Sequence, residues 1–213
     1  MKTNRIGDYL DYLFPNPKCE LIYNKDYELL IATVLSAQST DRVVNTVTPI
    51  LFNKYNTLFK LKNASLDDLE KIIKPVGSFR KKSSYVRSIA TIIDEKYNGI
   101  VPKNRDVLVT FPGVGRKTAN VFLSEYYNEP AIAVDTHVER VSKRLKIAAK
   151  KDDVIKIEKK LMKYFPIEEW SKRHLQMVLF GRYYCKAIKP NCSECKLIDI
   201  CSEKKKIIKK EIH

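Results

Sequence analysis

The sequence predicts an all-α protein, and three observations carry that reading. Apolar residues recur at three- and four-residue spacings along most of the chain, capping residues stand ahead of these stretches with Gly or Pro behind several of them, and the one β-like run, "PAIAVD", is too short to build a sheet. In order, "YELLIATVLSAQ" places Leu29, Leu30, Thr33, Val34 and Ala37 at helical spacing, and "TDRVVNTVTPILFNKY" starts a second helix that Ser39 and Thr40 can cap. "SLDDLEKIIKPVG" opens with the capping box Ser65-x-x-Asp68 and closes near Pro75 and Gly77. "SYVRSIATIIDEKYNG" turns Ile89, Ile92 and Ile93 inward and stops at Gly99. Further helical stretches follow in "RDVLVTF", "GRKTANVFLSEYY", "THVERVSKRLKI", "DVIKIEKKLMKYF" and "EEWSKRHLQMVLFGRYYC". No low-complexity linker or internal repeat divides the chain, and the best candidate boundary is "YYNEPAI", around residues 126–132.

A chain of 213 residues has room for one large domain or two small ones. With 40 Lys+Arg against 25 Asp+Glu the formal charge is +15, which calls for a polyanionic partner, nucleic acid or an anionic membrane surface. No apolar run approaches the roughly 18 residues of a spanning helix, and the start "MKTNRIGDYLDYLF" lacks the apolar stretch of a signal peptide. Nucleic acid is therefore the preferred partner, and the expected location is the cytoplasm, in association with the nucleoid.

"TFPGVGRKTAN" spends two of the chain's 6 glycines within three residues, Gly113 and Gly115, and follows them with Arg116 and Lys117. A helix ending at Phe111, a Pro112-Gly113-Val114-Gly115 turn and a second helix from Arg116 make a hairpin whose bare backbone offers N–H groups to an anion. It is not a nucleotide P-loop, because Arg116 stands where that motif needs glycine, and Thr118 takes the place of the third glycine of a dinucleotide fingerprint. With the positive charge, Gly113, Val114, Gly115 and Arg116 read as contacts to a DNA backbone. Such contacts act through counterion release, so affinity for undamaged duplex is expected to fall steeply with salt.

Of the 5 cysteines, Cys185, Cys192, Cys195 and Cys201 lie together in "CKAIKPNCSECKLIDIC", while Cys19 stands alone as a space-filling residue. A disulfide framework is unexpected in a reducing compartment. Structural zinc prefers two close pairs and only Cys192/Cys195 make one; the spacing favours an iron–sulfur cluster and leaves zinc open.

"LSAQSTD", "FPGVGRKTANV", "AVDTHVERV" and the four-cysteine spacing together resemble, in order and separation, the bacterial endonuclease III family of base-excision DNA glycosylases, over roughly residues 20–203. The resemblance implies a two-domain, all-helical helix-hairpin-helix glycosylase fold: a six-helix domain at about 20–130, and a cluster domain from residues 1–19 plus 131–213 that carries the four-cysteine loop. It implies a [4Fe-4S] cluster on Cys185, Cys192, Cys195 and Cys201, with Lys186 and Lys189 between the first two ligands as phosphate contacts. It also implies a monomer acting on double-stranded DNA with a damaged base or an abasic site, excising oxidised pyrimidines and cleaving the strand by β-elimination.

The residues suit that chemistry. Removing a base requires a nucleophile for the anomeric carbon and a stabiliser of positive charge on the sugar, roles that fit Lys117 and Asp135. A lysine amine attacks only when neutral, so the site has to desolvate it or surround it with cations, and Arg116 and the helix N-terminus both push that way. Asp135 precedes a second capping box, Thr136-x-x-Glu139, and can favour that helix start as well; His137 reads as structural. Gln38 resembles the family's residue that fills the space of an extruded nucleotide. After Gly77, where close relatives usually carry a bulky Leu, this chain has Ser78, and Phe79 is the candidate to supply the apolar wedge in its place. The competing reading is a helix-hairpin-helix module that binds DNA without chemistry, which the Lys117 and Asp135 pair argues against.

Overall fold

The protein is described by a computed structural model over residues 4–203, and every regular element among the described residues is helical. In chain order the helices are α1 (Arg5–Leu13), α2 (Asp26–Leu35), α3 (Asp41–Lys54), α4 (Leu58–Lys62), α5 (Leu66–Ile73), α6 (Phe79–Lys96), α7 (Arg105–Leu108), α8 (Arg116–Tyr127), α9 (Thr136–Arg144), α10 (Val154–Tyr164) and α11 (Trp170–Leu179), the last continuing into a π-helical turn, Phe180–Tyr184. Residues of "PAIAVD" form no strand, yet Ala131 to Val134 are buried. None of the described helices is long and apolar enough to cross a membrane. The chain divides into two compact units, Glu20–Asn128 and the described parts of Met1–Cys19 with Glu129–His213.

Within Glu20–Asn128, α6 packs on α4 and α5, and α2 contacts α3, α6 and α8. Each residue of helix α2 from Tyr27 to Leu35 is buried, Glu28 and Thr33 included, which makes it a central helix. Local signals mark the other boundaries. Thr40 accepts from Val43 N and caps α3, whereas Ser39 is turned elsewhere. Ser65 Oγ accepts from Asp68 N at 3.2 Å, but the Asp68 carboxylate leaves the capping box for Tyr55 and Lys54. Helix α7 ends at Leu108, three residues earlier than the sequence predicts, so the connection into α8 is a longer loop than the four-residue turn expected.

The other unit is built around Leu10, Val138, Val141, Leu161, Met177 and Phe180, all buried. Its polar keystone is Arg173. The guanidinium donates to Gly7 O, Gln176 Oε1 and Asp11 Oδ2, each at 2.9 Å, and to Glu169 Oε2 at 2.7 Å. Gly7 makes room for it, since a Cβ there would stand 3.1 Å from Nη2. Burial pulls the Asp11 carboxyl upward, but hydrogen bonds from Arg173, Lys172 and Gln176 outweigh that and hold it well below the usual carboxylate range.

Because Asp11 is depressed in the fold, its stabilisation is complete above the ordinary carboxylate pKa and is lost as pH falls through the folded value. Arg173→Met should therefore lower unfolding free energy by about 3 kcal/mol near neutrality, through the stranded carboxylates, and by progressively less below about pH 4. Denaturant titrations of both proteins across that range check this; a penalty that is constant down to acid pH contradicts it.

Candidate functional site

The hairpin turn is locked from beneath and open above. Gly113 has φ +78°, and a Cβ there would lie 2.5 Å from Tyr85 Cδ2 and 3.0 Å from Val34 Cγ1, so both its backbone and its neighbours require glycine. Val114 is buried beside it. Gly115 is different. It caps α8 with φ −92° and ψ 177°, a conformation open to any residue, and a Cβ there would meet nothing within 4 Å. No contact inside the chain explains why its side chain is absent. Gly115 makes no side-chain cap, and Arg116 and Lys117 emerge exposed in the first turn of α8, where the free N–H groups and the helix dipole favour an anion.

A second pair of turns lies in the same unit. Gln38 and Ser78 are both exposed and both left-handed, with φ 57° and 59°, an uncommon state for non-glycine residues. The structure brings these turns together: Gly77 N donates to Ser39 Oγ at 3.0 Å, and a Cβ on Gly77 would stand 3.2 Å from Gln38 O. Ser78 is the residue before α6, and Phe79, the first residue of that helix, is half-buried with the Arg80 guanidinium over its ring at 5.2 Å. Beneath them lies Lys82, 5 % exposed, whose Nζ donates to Leu35 O at 2.9 Å and Ala37 O at 2.5 Å. Its position in "FRKKSSY" gives no sign of burial, because Lys81 beside it reads identically.

In the other unit Asp135 is the N-cap of α9: its Oδ1 accepts from Val138 N at 2.7 Å, leaving Oδ2 outside the cap. Thr136 is thus the first helical residue and not the cap that the sequence predicts. The helix that Asp135 starts supplies two arginines that sequence reading passed over. Arg140 donates to Cys185 O at 3.0 Å and Gly181 O at 2.6 Å, and Arg144 donates to Lys186 O at 2.8 Å and Cys185 Sγ at 3.3 Å. Their i, i+4 spacing, which puts both on one face of α9, was the available signal. Gly181, in the π-helical turn, lets this face approach, since a Cβ there would lie 2.8 Å from His137 Cβ; His137 Nδ1 is 3.2 Å from Arg140 Nη2.

Cys185, Cys192, Cys195 and Cys201 all line one cavity of about 630 Å³, together with Arg144, Tyr184 and Lys189. Burial pushes the Cys192 and Cys195 thiols up, and the neighbouring cysteines add to the effect in each case. Among the described residues no group of three or more His, Cys, Asp or Glu is arranged around a single ion. Arg5 ties α1 to the segment between Cys195 and Cys201, pairing with both oxygens of Asp199, at 2.5 and 2.8 Å, and donating to Lys196 O at 2.6 Å. Lys186 and Lys189 are exposed on the loop between the first two cysteines, and Lys189 has φ 49°. Cys19 lies apart, half-buried.

Comparison with known proteins agrees with this geometry. The profile of the HhH-GPD superfamily base excision DNA repair proteins matches residues 31–167. The chain is similar to endonuclease III of Bacillus subtilis (strain 168), 48% identical over 207 residues that cover 97% of this chain and 93% of that one. Two solved structures resemble it at 47% identity, each covering 98% of this chain and 99% of the other: a non-covalent endonuclease III–DNA complex, with TM-score 0.93, and a trapped endonuclease III–DNA covalent intermediate in an estranged-adenine complex, with TM-score 0.92. Similarity that runs across both units, hairpin and cysteine loop included, shows that the chain belongs to the endonuclease III family of HhH-GPD base excision DNA repair proteins.

Proposed function

We propose that this protein is a bifunctional DNA glycosylase and AP lyase of base excision repair that removes oxidised pyrimidines from double-stranded DNA. The observation that carries the reading is Gly115: a glycine that nothing in the fold demands, at a helix N-terminus, directly before an exposed Arg-Lys pair. A DNA phosphate approaching the α8 N–H groups supplies the missing reason. A covalent protein–DNA intermediate, as trapped in the similar complex, requires a nucleophile on the protein, and we assign that role to Lys117 because it lies exposed in the first turn of α8.

In this mechanism the Lys117 amine attacks the anomeric carbon and the C–N bond to the base breaks, the base leaving with the bonding pair. Ring opening gives an imine between Nζ and the former anomeric carbon; loss of a C2′ proton then expels the 3′ phosphate by β-elimination. Lys117 is exposed in the free protein, so the desolvation that favours a neutral amine comes with DNA docking. The free oxygen of Asp135 supports positive charge on the sugar during base loss. Gln38 fills the vacated place in the stack, and Phe79, next to the short Ser78 side chain, acts as the apolar wedge. Lys186 and Lys189 contact phosphates farther along the duplex.

The four cysteines fit a [4Fe-4S] cluster, because an all-thiolate donor set around one shared cavity is the set such a cluster takes. Cys185, Cys192, Cys195 and Cys201 would hold it, and what it supplies when bound is a fixed frame for the loop that bears Lys186 and Lys189. The Arg144 hydrogen bond to Cys185 Sγ suits a ligand that carries thiolate charge.

Three outcomes test these assignments. Borohydride should trap wild-type protein on lesion DNA without added metal, and Lys117→Gln should abolish adduct and strand cleavage while keeping DNA affinity within a few-fold, since the backbone and not the lysine holds the phosphate. Trapping of Lys117→Gln at the wild-type level means that another amine reacts. Gly115→Ala should leave the melting temperature unchanged and weaken DNA binding about tenfold through an obstructed phosphate, whereas Gly113→Ala should lower the melting temperature. Equal DNA affinity in Gly115→Ala and wild type removes the central observation. Protein purified without added metal should be brown and contain iron and inorganic sulfide in equal amounts; colourless protein with stoichiometric zinc refutes the cluster.

A further inference from the structure

Lys82 is the buried cation that this chemistry leaves unused. No carboxylate among the described residues pairs with it, and its amine donates to two backbone carbonyls, Leu35 O at the end of α2 and Ala37 O just past it. Burial pushes its pKa down, the expected response of an ammonium taken from water without a counter-charge. A methionine would occupy similar volume without that cost, so packing does not account for a lysine here.

What the amine holds is specific. Leu35 is the last residue of α2, and its carbonyl is one of those the helix end leaves without a partner; the dipole makes this a favourable place for a cation. Ala37 O matters more. It belongs to the same planar peptide as Gln38 N, so an amine that fixes that carbonyl fixes the direction in which Gln38 begins. Gln38 then continues into the left-handed region, a strained state for an L-residue that needs support from its surroundings. Lys82 also sits one turn into α6, the helix begun by Ser78 and Phe79, and its backbone N donates to Ser78 O at 3.1 Å. The same residue thus holds both turns, and Gly77 N to Ser39 Oγ ties them a second time.

We propose that Lys82 is a positioning residue for nucleotide extrusion, presetting the left-handed Gln38 turn and joining it to the Ser78–Phe79 turn so that the two enter the duplex as one rigid clamp. This rests on the reading that Gln38 and Phe79 act inside the DNA stack. A preset clamp removes from the extrusion step the entropy of ordering two loops, and its loss is felt only where a stack has to be opened.

The test compares wild type, Lys82→Met, Gln38→Ala, Ser39→Ala and the Lys82→Met/Gln38→Ala double variant on two substrates. One is a duplex with an oxidised pyrimidine and 2-aminopurine beside it to report unstacking; the other is a single strand with an abasic site, where no stack has to be opened. Lys82→Met should slow both the fluorescence rise and single-turnover excision on the duplex about tenfold, keep the melting temperature at or above wild type, and cleave the single strand at close to the wild-type rate. The double variant should be no slower than the worse single variant, because Lys82 acts through Gln38. Ser39→Ala, which unties the turns without touching the buried amine, should show a smaller loss with the same substrate selectivity, and it decides the matter if Lys82→Met does not fold. If Gln38→Ala extrudes and excises at the wild-type rate, the reading of Gln38 fails and the inference with it. If Gln38→Ala is slow while Lys82→Met and Ser39→Ala match wild type, or slow both substrates equally, the reading of Gln38 stands and the clamp is overturned.

Discussion

The close packing at Gly113 is the constraint on which the outward-facing parts of the Glu20–Asn128 unit depend. Its α-carbon is pressed so near Tyr85 and Val34 that no Cβ fits, and its positive φ reverses the chain there. One residue thereby fastens the turn to both α6 and α2, the helices that also carry the Ser78 and Gln38 turns at their ends. Three exposed features, the α8 N-terminus and these two turns, are consequently referenced to a shared floor of buried side chains. Interiors packed at crystal density transmit position well, because they have few alternative arrangements. On the function proposed above these are the groups that meet DNA together, and such a floor fixes their spacing in advance.

The fold class was legible because its signals are local. Helical spacing, the Thr40 and Ser65 caps and the Gly99 stop are each readable from a few adjacent residues, and the structure shows all of them. The reading failed where the outcome depended on which of two local options the rest of the chain required. Asp68 left its capping box for Tyr55 and Lys54, and Asp135 displaced Thr136 as the cap of α9. Burial of a polar residue such as Thr33 of α2 is likewise settled by its surroundings, and its Oγ1 donates to Leu29 O inside the same helix, so the burial costs little.

Among the residues of the candidate site, those offered by backbone chemistry were the easiest to find, since a Pro-Gly-x-Gly turn before Arg-Lys has few purposes. Residues that act from beneath were invisible. Lys82, Arg140 and Arg144 are three cations in a chain with 40, and only tertiary neighbours separate them from solvated ones. All three spend their donors chiefly on backbone carbonyls rather than on carboxylates, a use of positive charge that no charge count reveals. The surplus charge of this protein is in part internal scaffolding for loops.

The Arg5 bond to Asp199 and Lys196 joins residues 194 and 191 positions apart, and Arg173 closes a similar span onto Gly7 and Asp11. The hairpin unit, by contrast, is one continuous stretch of chain. During synthesis that stretch can reach its final form while the helix that precedes it waits, its apolar face lacking a partner until the cysteine-bearing segment has followed. The cavity that the four cysteines line is therefore completed last, once Arg5 has met the Lys196–Asp199 segment.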